Sequence, residues 1–149
     1  MEDPRPKLNE ALKEAMRNKD TIRRDVLRLT QSAIKQVEID TRKELSAEDV
    51  VAILQKEVKS RRESIEEMVA AGRTEAAAAA ERELKILEEY LPQQLSREEI
   101  TALAQQVIAE TGAQSAQDMG KVMGKLMPQV KGRADGSLVN QVVRELLNR

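Results

Sequence analysis

The chain has 149 residues, enough for one domain with a real core or for a long-helix module with a small satellite. It has no Cys, His, Phe or Trp and a single Tyr, which removes disulfides, thiolate chemistry, the usual zinc ligands and the commonest general base. Its net charge of −1 rules out coating of nucleic acid by bulk electrostatics: residues 1–91 carry 18 basic and 20 acidic side chains, and residues 92–149 carry 7 and 6.

A third of the residues are charged and the apolar ones are Leu, Val, Ile, Met and Ala, which suits amphipathic helices better than sheets. An all-α protein is expected. Leu8, Leu12, Ala15 and Met16 share one face of a first helix, and Asp20 can cap a second that runs from about Thr21 to about Lys43. The second helix has the stripe Ile22, Val26, Leu29, Ala33 and Val37. Ser46-Ala-Glu-Asp49 resembles a capping box, opening a third helix with the stripe Val51, Leu54, Val58, Ile65 and Met68 and a C-cap at Gly72. Thr74 can cap a fourth helix, with Ala77, Ala80, Leu84, Leu87 and Leu91 inward, and Pro92 ends it. Helices three and four are each near 20 residues with a short turn between them, so an antiparallel hairpin is expected.

Pro92 and the capping box Ser96-Arg-Glu-Glu99 divide the chain into an N-terminal helical module, 1–92, and a C-terminal domain, 93–149. Helix five runs from about Arg97 to Thr111 with Ile100, Leu103, Val107 and Ile108 inward and Gly112 at its end. Ser115-Ala-Gln-Asp118 opens helix six, with Met119, Val122, Met123 and Leu126. Pro128 and the Gly132–Gly136 turn separate it from helix seven, which buries Leu138, Val142, Val143, Leu146 and Leu147. The architecture expected is a long-helix hairpin module followed by a small three-helix domain. No apolar run approaches about 18 residues, and Met1–Lys7 is unlike a signal peptide, so a soluble cytoplasmic protein without a membrane partner is expected.

Catalytic groups are sparse. No Gly-x-x-x-x-Gly-Lys-Ser/Thr loop is present, and carboxylate pairs such as Glu66-Glu67 and Glu88-Glu89 are adjacent on a helix and diverge. No catalytic residue, cofactor site or metal site is expected. Function points instead to the stretch Asp118–Asn140, which holds four of the six glycines. Between Asp118 and Asp135 it carries Lys121, Lys125, Lys131 and Arg133 with no acid. Exposed glycine backbone with long cationic arms can approach phosphate closely. Gly120 and Gly124 share one helix face, and two readings are open for them: close packing of a neighbouring helix, or admission of a sugar-phosphate backbone. Gly132–Gly136 reads as a helix N-cap turn that also offers anion binding at the N-terminus of helix seven. A second basic group, Arg17, Lys19, Arg23, Arg24 and Arg28, is interrupted by Asp20 and Asp25, which account for much of its charge.

At Asp118-Met119-Gly120-Lys121-Val122-Met123-Gly124, and at Lys131-Gly132-Arg133-Ala134-Asp135-Gly136 followed by Val139-Asn140, the chain resembles the YqeY proteins of the GatB/YqeY family. The resemblance continues through Leu27-Arg28, Leu54-Gln55-Lys56-Glu57, Arg61-Arg62-Glu63-Ser64-Ile65 and Glu88-Glu89-Tyr90-Leu91-Pro92. It implies a helical N-terminal module joined to a domain similar to the tail of the B subunit of glutamine-dependent aminoacyl-tRNA amidotransferase. In that enzyme the tail helps hold tRNA, and other domains carry out amide hydrolysis and ATP-dependent transfer. The resemblance thus implies a non-catalytic tRNA-binding accessory protein that touches tRNA through Lys121, Lys125, Lys131, Arg133, Gly120, Gly124 and Gly132. A family label of carbon–nitrogen ligase activity with glutamine as amido donor comes with it, although the chain offers neither an amidase nucleophile nor a nucleotide site. Two rival readings are a helical protein-interaction adaptor and a component of tRNA-dependent amidation active only with a protein partner.

Overall fold

A computed structural model describes residues 1–148. The helices begin where side chains can take the backbone N–H groups that a first turn leaves unbonded. Asp20 accepts from Arg23 N (3.2 Å) at the start of α2, Thr21–Thr41, which follows α1, Arg5–Arg17. Ser46 and Asp49 exchange bonds of 3.1 and 3.0 Å at the start of α3, Ala47–Ala70. Ser96 and Glu99 do the same, both at 3.1 Å, to open α5, Arg97–Thr111. Two expected starts differ. Arg73, not Thr74, is the N-cap of α4, Thr74–Glu88, and it makes no side-chain cap bond. The Ser115–Asp118 box is present, the Asp118 carboxylate accepting from Ser115 N (3.3 Å) and also from Gln114 N (2.9 Å), but it opens a 3₁₀ turn, Ala116–Asp118; α6, Met119–Val130, begins after it. Pro128 lies within α6 rather than ending it, and α7, Gly136–Leu147, follows. All regular structure among the described residues is helical.

The chain divides into two compact units, Met1–Leu91 and the part from Pro92 on. In the first, α3 packs on α4 across a three-residue connection, α1 lies on α2, and α2 contacts both α3 and α4. Leu8, Val26, Leu27, Leu54, Val58, Leu84, Leu87 and Tyr90 form its core. Of the expected stripe of α2, Val26 is buried and Ala33 and Val37 are half-buried, but Leu29 is 63% and Ile22 49% exposed; the buried residues are Val26, Leu27, Thr30 and Ile34. α2 contacts α1, α4 and α3, and these neighbours set which of its faces is covered. Thr30 tolerates that burial by donating its hydroxyl to Val26 O at 2.8 Å. Met16 of α1 is also turned outward, while Leu8 and Ala15 are buried.

In the second unit α5, α6 and α7 contact one another pairwise. Ile100, Ala104, Val107, Val122, Leu126, Val130, Val139, Val142, Val143 and Leu147 make the core, and Leu103, Ile108, Met119, Met123, Leu138 and Leu146 pack half-buried around it. Residues 93–95 run along the turn before α7: Leu95 N donates to Arg133 O (2.7 Å) and Gln94 Nε2 to Gly132 O (2.9 Å).

The capping carboxylates are expected to contribute acid sensitivity to the helix starts. Asp49 and Glu99 are held below the usual carboxylate range chiefly by the backbone N–H and hydroxyl of Ser46 and Ser96, and Asp118 by the N–H groups of Gln114 and Ser115. A carboxylate depressed in the folded state stabilises it above the unfolded-state pKa, and that contribution disappears as pH falls through the folded-state value. Helix content measured by circular dichroism is expected to hold down to about pH 4 and to fall below it. Ser96→Ala is expected to lower stability by about 1 kcal/mol in denaturant titrations.

Candidate nucleic-acid interface

The geometry of α6 follows from a four-residue repeat. Val122, Leu126 and Val130 are fully buried on one side. At about 100° per residue, Gly120, Gly124 and Pro128 fall within a sector of about 80° on the opposite, exposed side. Lys121 and Lys125 flank this sector on one edge, exposed; Met119, Met123 and Met127 flank it on the other, half-buried against the core. A Cβ built on Gly120 or Gly124 meets nothing within 4 Å. Neither glycine has a positive φ. Within this structure, then, neither a packed neighbouring helix nor backbone conformation accounts for them.

Pro128 sharpens the same face. It has no N–H, so the Gly124 carbonyl lacks the donor that residue i+4 supplies elsewhere in a helix. The face therefore combines bare backbone, a carbonyl acceptor without its usual helical donor, and two lysines one turn apart. In the sequence Pro128 looks like a helix stop, but its spacing of four from Gly124 and eight from Gly120 is the signal that it shares their face.

The interval without acids in sequence is not free of acids in space. Lys125 Nζ pairs with Glu110 Oε2 of α5 at 2.8 Å, and this lysine is the main reason the Glu110 carboxyl lies below its usual range. Lys131 is exposed at the C-cap of α6. Arg133 is exposed in the following turn, its Nε 3.5 Å from Gln93 O. These two lie beyond the helix that carries Lys121 and Lys125. Gly132 is buried with φ +78, so its glycine is required by the left-handed turn and not by access for a ligand. The start of α7 is already occupied by the chain's own anion: Asp135 Oδ1 accepts from Ser137 N at 3.2 Å. An external anion there competes with that carboxylate.

In the N-terminal unit most of the basic group is engaged. Arg23 bonds the Glu89 carboxylate and the Tyr90 hydroxyl (3.0 Å), which together raise its pKa, the Glu89 bond being the larger cause. Arg24 pairs with Asp25 at 2.9 Å and Arg17 with Glu10 at 3.6 Å. Among the described residues no helix is long and apolar enough to cross a membrane.

A family profile described as "Yqey-like protein" matches residues 5–147. The chain is 35% identical over 130 residues to the protein named "Altered inheritance of mitochondria protein 41, mitochondrial" of Kluyveromyces lactis, covering 81% of this chain and 70% of that one. The protein of the same name from Pyrenophora tritici-repentis is 29% identical over 147 residues, covering 95% and 80%. A stretch of 59 residues is 36% identical to the E subunit of glutamyl-tRNA(Gln) amidotransferase of Methanobrevibacter smithii, covering 37% of this chain and 10% of that protein. A match that spans every described helix, from Arg5 to Leu147, places this chain, with its Gly120–Gly124 and Lys131–Gly136 motifs, in the YqeY-like protein family.

Proposed function

We propose that the chain is a non-catalytic, tRNA-binding accessory protein whose contact surface is the glycine face of α6 with Lys121 and Lys125. The observation that carries this reading is the empty space over Gly120 and Gly124 on an exposed helix flanked by cations. Helix glycines lower stability by roughly 0.8–1 kcal/mol each relative to alanine. With no internal neighbour to require them, close approach by an external backbone is the reason that fits. RNA suits the surface: its phosphates meet Lys121 and Lys125, and a ribose 2′-hydroxyl can donate to the Gly124 carbonyl. The local similarity to a protein named for glutamyl-tRNA(Gln) amidotransferase supports the choice of tRNA. Lys131 and Arg133 extend the surface beyond the end of α6. A cytoplasmic location belongs to this reading, since a chain without cysteine suits any reducing compartment, although two relatives are named as mitochondrial.

Filter binding to tRNA over a salt series tests the proposal. With roughly three phosphates engaged, the log–log slope is expected between about −2 and −3. Lys121→Gln with Lys125→Gln should reduce its magnitude by between about one and two units, with the melting temperature nearly unchanged because exposed lysines contribute within about 0.5 kcal/mol. An unchanged slope moves the nucleic-acid site elsewhere and favours a protein partner on the bare face. The isolated chain, given glutamine, ATP and mischarged tRNA, is expected to form no amidated product above background. Product that disappears on a point substitution within this chain overturns the non-catalytic reading.

A further inference from the structure

A separate candidate surface lies in the N-terminal unit, at the corner where α1 turns into α2. A cavity of about 330 Å³ opens there, lined by Ala15, Met16, Lys19, Asp20, Arg24 and Arg28 among others. The acids nearby are engaged: Asp20 accepts from Arg23 N (3.2 Å) and pairs with its Nε (3.4 Å), and Asp25 is held by Arg24. Lys19 and Arg28, by contrast, have no carboxylate partner among the described residues, and the polar contact Arg28 does make is from Nη2 to Met16 Sδ at 3.9 Å. Ala15 is buried and Met16 is 52% exposed, so the cavity also has an apolar side.

We propose that this corner binds a phosphate monoester carrying a small apolar group. The phosphoryl group lies between Lys19 and Arg28, and the apolar part rests against Met16. Two cations without counter-ions match a dianion better than a singly charged carboxylate. The Arg28 guanidinium offers a two-pronged contact to two phosphoryl oxygens, and the Lys19 ammonium a point charge to a third. The volume stands at the lower end of the roughly 300–1,000 Å³ typical of small-molecule sites, which suits one ring and its phosphate and not a run of nucleotides. The inference rests on the N-terminal unit alone and stands whether or not α6 binds RNA.

Titration of the full ¹⁵N-labelled chain with phenyl phosphate tests it. Saturable shifts are expected at the amides of Met16, Lys19, Thr21 and Arg28, with inorganic phosphate shifting the same amides at several-fold weaker affinity. Lys19→Gln with Arg28→Gln should abolish the shifts while circular dichroism and melting stay as in the parent. Absence of saturable shifts at this corner, equal affinity for the two probes, or unchanged affinity in the double variant overturns the proposal. A short RNA with a 5′-phosphate and the same RNA with a 5′-hydroxyl separate two sources of the ligand. Displacement of phenyl phosphate by the phosphorylated form alone assigns the end of an RNA, displacement by neither assigns a free small molecule, and equal displacement by both overturns a monoester site.

Discussion

Leu126→Ala is expected to unfold the C-terminal unit while leaving the N-terminal unit folded. Leu126 is fully buried at the middle of α6, the helix that contacts both α5 and α7, so the cavity it leaves is bordered on two sides. Such a truncation costs about 2–5 kcal/mol. A unit of this size has a stability of about 3–9 kcal/mol at roughly 0.05–0.15 kcal/mol per residue, so the loss takes much or all of it. Tyr90, the single aromatic residue, is buried in the N-terminal core and so reports on the folding of that unit. The expected result is a reduced far-UV helix signal in Leu126→Ala at 25 °C, with the Tyr90 fluorescence transition in denaturant unchanged. A Tyr90 transition that shifts as far as the helix signal shows that the two units do not unfold separately. Met123→Ala is the control: half-buried one turn away, it should lower stability by much less.

Legibility in the sequence followed the range of the interaction. Helix starts at Ser46 and Ser96 were readable because a capping box is complete within four residues. The stop at Gly112 was readable for the same reason, since a left-handed C-cap is a property of one residue. The stripe of α2 was legible only in part: Val26 and Val37 face the core, but the polar Thr30 disguised the buried register beside them, and neighbouring helices decide which face is covered. The Lys125–Glu110 pair joins residues of two helices, so counting charges along α6 could not find it. Gly132 and Gly124 look alike in sequence. One is buried at φ +78 in a turn held by Gln94, and the other stands over empty space. Only tertiary contacts tell a structural glycine from an accessible one.

That distinction gives the second large effect. Replacing both Gly120 and Gly124 by alanine is expected to make the protein more stable and a poorer RNA binder. Both are helical without positive φ, and an added Cβ at either meets nothing within 4 Å, so the substitution brings no clash. Alanine restricts the unfolded chain and favours helix, by about 0.5–1 kcal/mol at each position. For a unit this small, 1 kcal/mol raises the melting temperature by about 4–8 °C. The same two methyl groups stand on the surface that the proposed ligand must approach. If they displace one close backbone contact, tRNA affinity should fall roughly tenfold for a loss of about 1.4 kcal/mol. The salt slope should stay nearly constant, because Lys121 and Lys125 are retained; this separates blocked approach from lost charge. Three outcomes are informative. Higher melting temperature with weaker binding supports the interface, and a lower melting temperature reveals a packing partner for these glycines. Higher stability with undiminished affinity removes the glycine face from RNA recognition, because methyl groups that block no contact stand on a surface the RNA does not approach.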